Sequence, residues 1–255
     1  MASTSRRSTN RIHMSYETLQ WDSDFFGFNV AKLTPFQLSI ETLEAHLAEM
    51  RRNGIKLVYW PSSHKLDNNA ISKLGGILAD IKTTYFVDLL TLGNPPLPSN
   101  IAITPYSASV SIDDMEALAI ESGKYSRFFN DPMFDRKKAK ELFRIWIRNA
   151  VNKTYADEVF IIQDRQHALG MITVAKTDKQ GQIGLLAVSP QHTGKRYGES
   201  LVKQAQNWFM TQHLDEAHVV TQGNNIPACR LYEKCHFKVE KVEYFYHFWL
   251  QQTAS

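Results

Sequence analysis

The chain has 255 residues, 43% of them hydrophobic and 22% charged, with a formal net charge of +3. That balance excludes a disordered or fibrous chain and leaves one large or two smaller globular domains. So slight a basic excess gives no reason to expect a nucleic-acid surface, yet it is compatible with a locally positive pocket for an anionic small molecule.

The opening MASTSRRSTNRIH, residues 1–13, is rich in Ser, Thr and Arg and has no apolar face. It is expected to be a disordered tail or expression remnant, with Met14 a natural start. An N-terminal α/β domain is expected over residues 14–98. Its first segment, LQWDSDFFGFNVAKL, reads as a turn capped by Asp22 or Asp24, with Phe25 and Phe26 in the core, followed by the strand FNVAKL. Ile40, Leu43, Leu47 and Met50 then recur at helical spacing, and Gly54 supplies a stop. IKLVYW reads as a buried strand, the stretch around Ala70 to Leu74 as a short helix, and TTYFVDLL as a third strand, an alternation that defines an α/β layer. GNPPLPSN, Gly93 to Asn100, ends this region, because each proline lacks an N–H and restricts the residue before it.

The second domain is expected over residues 99–255. Ser111 is placed to cap a helix whose first turn carries acids and which Gly123 ends. From Asp135 to Lys153, Ala139, Leu142, Phe143, Trp146, Ile147 and Ala150 form one apolar stripe with the basic residues away from it, an aromatic-rich face expected in the core. EVFIIQD and ALGMITVAK read as an antiparallel pair turned at RQH. IGLLAV is the next strand, and Leu201, Val202, Ala205, Trp208 and Phe209 mark the buried face of the helix that follows. AHVVTQ, IPACRLYEKC and YFYHFWL complete the order as strand, short helix and strand. Cys229 and Cys235 have neither a disulfide-framework nor a metal-ligand spacing, so reduced thiols and no metal are expected. No run approaches the ~18 apolar residues of a membrane span and no secretory leader is seen, so a soluble, cytoplasmic protein without membrane or nucleic-acid partners is expected.

Between the strand IGLLAV and its helix lies SPQHTGKRYG. A helix start offers several backbone N–H groups without intrahelical partners, and with the helix dipole these suit a phosphate. Thr193, Gly194, Lys195, Arg196, Tyr197 and Gly198 are therefore candidates for a phosphate cradle, although a glycine in such a turn also serves packing alone. The spacing is neither that of a Walker loop nor that of a dinucleotide fingerprint. One strand later comes Asn225-x-x-Ala228-x-x-Leu231-Tyr232-x-Lys234-x-x-Phe237. Asn225 is either a helix cap before Pro227 or a ligand contact, and Tyr232 either an interfacial core aromatic or a proton donor.

Together the two motifs resemble the acyl-CoA-binding motifs of the GNAT superfamily of N-acetyltransferases, over about Ile103 to Leu250. The resemblance implies a GNAT fold, α/β (α+β), with a mixed, largely antiparallel central sheet flanked by helices, here preceded by the smaller N-terminal domain. It implies acetyl-CoA as co-substrate. Backbone groups of Leu186, Ala187 and Val188 would then meet the acetyl carbonyl and pantetheine, and the amides from Thr193 to Gly198 the pyrophosphate. Asn225 would bond the pantetheine arm, and Tyr232 would protonate the departing thiolate. Two departures stand out. Thr193 and Arg196 replace the family's Arg or Gln and its middle Gly, although Lys195 and Arg196 can themselves bind phosphate. Gln182 stands where some members carry a glutamate base, and an amide cannot take a proton; the base is unassigned.

LQWDSDFFGFNVAKL, SGKYSRF (122–128) and WIRNAVNKTYADEVF (146–160) further resemble bacterial N-acetyltransferases of nucleotide-linked amino sugars. The acceptor so implied is a dTDP-linked 4-amino-4,6-dideoxyhexose of surface-polysaccharide synthesis, acetylated by direct attack, with the N-terminal domain contributing to acceptor binding. The Leu186 amide would polarise the carbonyl. Tyr125 and Arg127 are candidates for acceptor contact, or else helix-end packing and a solvated charge. His247 is an alternative base or a structural histidine, and the aromatic YFYHFWL suits burial or a homodimer contact. A peptide or other small amine as acceptor, or a non-catalytic acyl-CoA-binding module, are the alternatives.

Overall fold

The computed structural model describes residues Tyr16–Leu250; the expected tail at 1–13 and the start at Met14 lie outside them. The chain divides into two units, one running to Ile77 and joined by the stretch from Tyr246 onward, the other Leu78–Phe245.

In the first unit β1 (Tyr16–Thr18) pairs antiparallel with β2 (Val30–Leu33), and β2 parallel with β3 (Leu57–Ser62). Between β1 and β2 lies α1 (Gln20–Phe26), where a turn was expected. No side chain caps it, so neither Asp22 nor Asp24 plays that part, and Gly27 ends it in the left-handed region. Its buried residue is Ser23, whose hydroxyl accepts from Val30 N at 2.9 Å, while Phe25 and Phe26 stay half-buried. α2 (Ile40–Arg52) follows the sequence closely: Ser39 caps it and Leu43, Leu47 and Met50 face inward. Every residue of β3 is buried, as a parallel strand covered on both faces requires. α3 (Asn68–Lys73) completes the local order.

The second unit starts within β4 (Gly76–Asp88), which pairs antiparallel with β9 (Glu216–Gln222). The strand expected to close the first domain is therefore the start of the second unit, and the expected boundary at residue 98 falls inside that unit. The proline stretch is tied there by Asn207, whose side-chain amide donates to Pro95 O at 3.1 Å. α4 (Leu89–Leu92) and β5 (Thr104–Pro105) flank it. α5 (Ile112–Ser122), α6 (Arg127–Asn130) and α7 (Arg136–Val151) lead into the meander β6 (Glu158–Asp164), β7 (His167–Thr177) and β8 (Gln180–Val188). Then come α8 (Tyr197–Thr211), β9, α9 (Ile226–Lys234) and β10 (Lys238–Trp249). The strand order in this unit is β10-β4-β9-β8-β7-β6-β5, mixed because β8 and β9 run parallel while β4/β9 and the pairs from β8 to β5 are antiparallel.

Physical reasons for these elements are local. Ser111 caps α5 and Asp135 caps α7, each accepting a first-turn amide. Gly123 ends α5 for packing and not for its dihedral: a Cβ there would stand 2.2 Å from the Phe143 ring. Glu116 on α5 holds Arg144 at 3.3 Å and Arg148 at 2.7 Å, clamping α5 to α7. On α8, Leu201, Val202, Ala205 and Phe209 are fully buried, each large side chain contributing roughly 1.5–3 kcal/mol. At the C-terminal end of β10, Tyr246, His247 and Phe248 are fully buried in the first unit, Tyr246 against Trp60 (5.7 Å) and His247 against Tyr59 (4.8 Å). Burial accounts for these three residues of the aromatic run, while Tyr244 and Trp249 stay half-buried. Among the described residues no helix is long and apolar enough to cross a membrane.

Candidate active site

Strands β8 and β9 zip together from Gln180/Glu216 to Ile183/Val219 and then part, although β8 continues to Val188 and β9 to Gln222. A wedge opens between them. At its apex β8 carries two residues, Gly184 and Leu185, opposite the single Thr173 of β7, a β-bulge. Thr173 Oγ1 accepts the Leu185 amide at 2.8 Å, and only a glycine fits beside it, since a Cβ on Gly184 would lie 2.7 Å from that oxygen. The bulge re-aims the strand just before Leu186, Ala187 and Val188, all of which line a cleft of about 1110 Å³. That exceeds the ~300–1,000 Å³ of ordinary small-molecule sites and leaves room for two reactants.

One end of the cleft is the start of α8. A 3₁₀ turn, Pro190–His192, leads into Gly194 at φ +78 and Arg196 at φ +63, both left-handed. No side chain caps the helix, and the first amide bonded within it is that of Ser200, to Arg196 O at 3.0 Å. The N–H groups of Tyr197, Gly198 and Glu199 precede it and carry the positive end of the dipole. Glu199 would oppose an anion there, but Lys234 at 2.6 Å and Lys203 at 2.9 Å neutralise it and hold its carboxyl below the usual range. Thr193, Gly194, Arg196, Tyr197 and Gly198 line the cleft; Lys195, which is exposed, does not. Arg196 keeps an arginine where glycine would sit without strain, at roughly 1 kcal/mol of backbone cost.

Tyr232 stands in the wall on α9, 4% exposed, between Tyr85 (ring centroids 6.0 Å) and Phe237 (5.9 Å). Burial pushes its phenol well above its ordinary range, so it holds its proton at neutral pH. Asn225 caps α9, accepting from Ala228 N at 3.3 Å, and also lines the cleft. The helix-cap reading of this asparagine is the one observed.

The other end of the cleft is polar and aromatic. Tyr125 and Arg127 line it with Lys82 and Phe245, and the Arg127 guanidinium lies 4.4 Å from the Phe245 ring centroid. Ser126 adds a buried hydroxyl without a hydrogen-bond partner. His247 is not in the cleft: it sits fully buried beside Tyr59, and the sequence-based alternative of a base there is withdrawn. Sequence reasoning also missed Asp80 and Lys82, which line the cleft from β4. They occupy the stretch expected to belong to the first domain, which lies in the second unit.

The strand wedge and the uncapped helix start both lie within residues 116–237, which match the model of the Acetyltransferase (GNAT) family. Over those residues the chain carries the GNAT domain that the model describes. It is 32% identical over 182 residues to the spore coat polysaccharide biosynthesis protein SpsD of Bacillus subtilis, a match covering 68% of this chain and 61% of that protein. With the dTDP-fucosamine acetyltransferase of Escherichia coli it shares 26% identity over 240 residues, 92% of this chain and 98% of the other. The structure of a functionally unknown conserved protein from Staphylococcus epidermidis superposes with a TM-score of 0.68 at 12% identity, covering 96% and 99% of the two chains, a likeness of fold alone. This chain thus spans about three fifths of the Bacillus relative and nearly all of the Escherichia one.

Proposed function

We propose that the protein is an acetyl-CoA-dependent N-acetyltransferase acting by direct attack on the primary amine of a nucleotide-linked amino sugar, of the dTDP-4-amino-4,6-dideoxyhexose type. The observation that carries the reading is the single cleft joining an uncapped helix start, a buried phenol and a cationic, aromatic lobe. The cradle residues fit coenzyme A: free amides suit its diphosphate, and the wedge suits its narrow pantetheine arm. That molecule supplies an activated acetyl group. The chain's own residues would do the rest: the helix start would anchor, Asn225 and the β8 backbone would orient the arm, and the Leu186 amide would polarise the thioester carbonyl. Tyr232 would give its proton to the departing sulfur. At the far lobe Arg127 and Lys82 suit the diphosphate of a nucleotide sugar, and Tyr125 and Phe245 offer apolar faces to a ring. The sugar-related names of the two relatives support the choice of acceptor.

Release of free thiol from acetyl-CoA is the test, measured with a panel of dTDP-amino sugars and of peptides. Release that depends on an amino sugar is expected. Release that depends on a peptide would replace the acceptor, and tight coenzyme binding without release would make this a binding module.

A further inference from the structure

We propose that Asp80 is the general base of the transfer, its carboxylate taking a proton from the acceptor's ammonium so that a neutral amine attacks the thioester. The assignment rests on the amine-acylating reading above. Asp80 lies on β4 in the cleft wall; two residues on, Lys82 stands opposite Gln222, at the open end of the β9 side of the wedge. Its Oδ1 is buried without a hydrogen-bond partner among the described residues. An unsatisfied buried acceptor is costly, and such costs concentrate where a group has work to do.

The other carboxylates of the cleft are already committed, and His192, which also lines it, stands on the turn before α8, at the opposite end from Asp80. Of its three lining carboxylates, Glu199 is held by Lys203 and Lys234, and Glu121 by Lys124. Gln182 is an amide, and the Tyr232 phenol keeps its proton. Asp80 faces Arg127 from α6 and Lys82 from its own strand, and Lys82 is in turn paired with Glu243 of β10 at 3.1 Å. On β9 the residue opposite Lys82, Gln222, is uncharged. Burial raises the Asp80 carboxyl to about 7 against the pull of Arg127, the Ile81 amide and Lys82. A base poised there is matched to work at neutral pH.

The protons balance without another reactant. Asp80 takes one proton from the ammonium and passes it to solvent. The nitrogen's lone pair forms the C–N bond as the C–S pair departs onto sulfur, which takes the Tyr232 proton. The second proton shed by nitrogen restores the phenol.

Two signs follow. The basic form of Asp80 accumulates as pH rises through about 7, so the rate rises with it. A carboxyl whose folded value is raised also stabilises the fold most at low pH, and that contribution is lost as pH climbs from the ordinary carboxylate range through about 7. With whichever amine the intact wild-type protein acetylates, Asp80→Asn should lower kcat/KM by about 100-fold and move the acidic midpoint to that of the amine itself. Asp80→Glu should keep part of both. Between pH 5 and 8 the wild-type Tm should fall relative to that of Asp80→Asn, a readout that needs no acceptor. An unchanged acidic limb, or parallel Tm curves, overturns the assignment while leaving acetyl transfer in place. Failure of amino sugars alone would remove the acceptor proposed above and not Asp80, because the profile is taken with the amine that does react.

Discussion

Tyr232→Phe lowers kcat by roughly tenfold or more and leaves the KM for acetyl-CoA unchanged, a loss of at least about 1.4 kcal/mol confined to the transition state. The substitution removes one oxygen and keeps the ring that packs between Tyr85 and Phe237. A phenol held protonated by burial can serve a leaving thiolate only as a donor, and that service is called on only as the C–S bond breaks. Steady-state kinetics on protein whose Tm stays within a degree or two of wild type separate this from a packing effect. Unchanged kcat removes Tyr232 from the mechanism, and a raised KM with unchanged kcat makes its hydroxyl a binding group.

Phe209→Ala should destabilise the protein by about 3–5 kcal/mol, the usual cost of emptying a fully buried phenylalanine site. The ring lies against the β8 backbone, where a Cβ on Gly181 would come within 2.6 Å of it. Gly181 pairs with Lys176 of β7 on one side and Ala217 of β9 on the other, at the zipped end of the wedge. The contact therefore fixes α8, and with it the helix start, against the strand whose far end lines the cleft. Urea midpoints measure the loss, which takes up a large share of the ~5–15 kcal/mol available to a native domain. A change below about 1 kcal/mol would mean that other contacts hold α8 in place.

What the sequence discloses and what it hides follow from the range of the interactions. The α7 stripe, the β6/β7 hairpin and the buried face of α8 rest on local periodicity, and each lies where that periodicity puts it, except that Trp146 and Trp208 stay half-buried, Trp146 in the cleft wall. The turn into α8 and the Asn225-to-Tyr232 spacing could be singled out as candidates because each lies within one short stretch of chain, and both line the cleft. The bulge at Gly184–Leu185 was not, because it depends on Thr173 of a neighbouring strand. Asp80 was hidden for the same reason: one acid in a strand says nothing until Arg127 and the cleft come round to it. The seven-residue α1 has no side-chain cap to announce it. The prolines after Gly93 suggested a domain boundary, but they mark a loop that stays within the second unit.

Isothermal titration of the wild-type protein with coenzyme A and with pantetheine tests most directly whether the start of α8 is an anion site. Saturable binding of coenzyme A, with pantetheine weaker by about 100-fold or about 2.7 kcal/mol, is the predicted result. Equal affinity for the two, or no heat with either on folded protein, would contradict it.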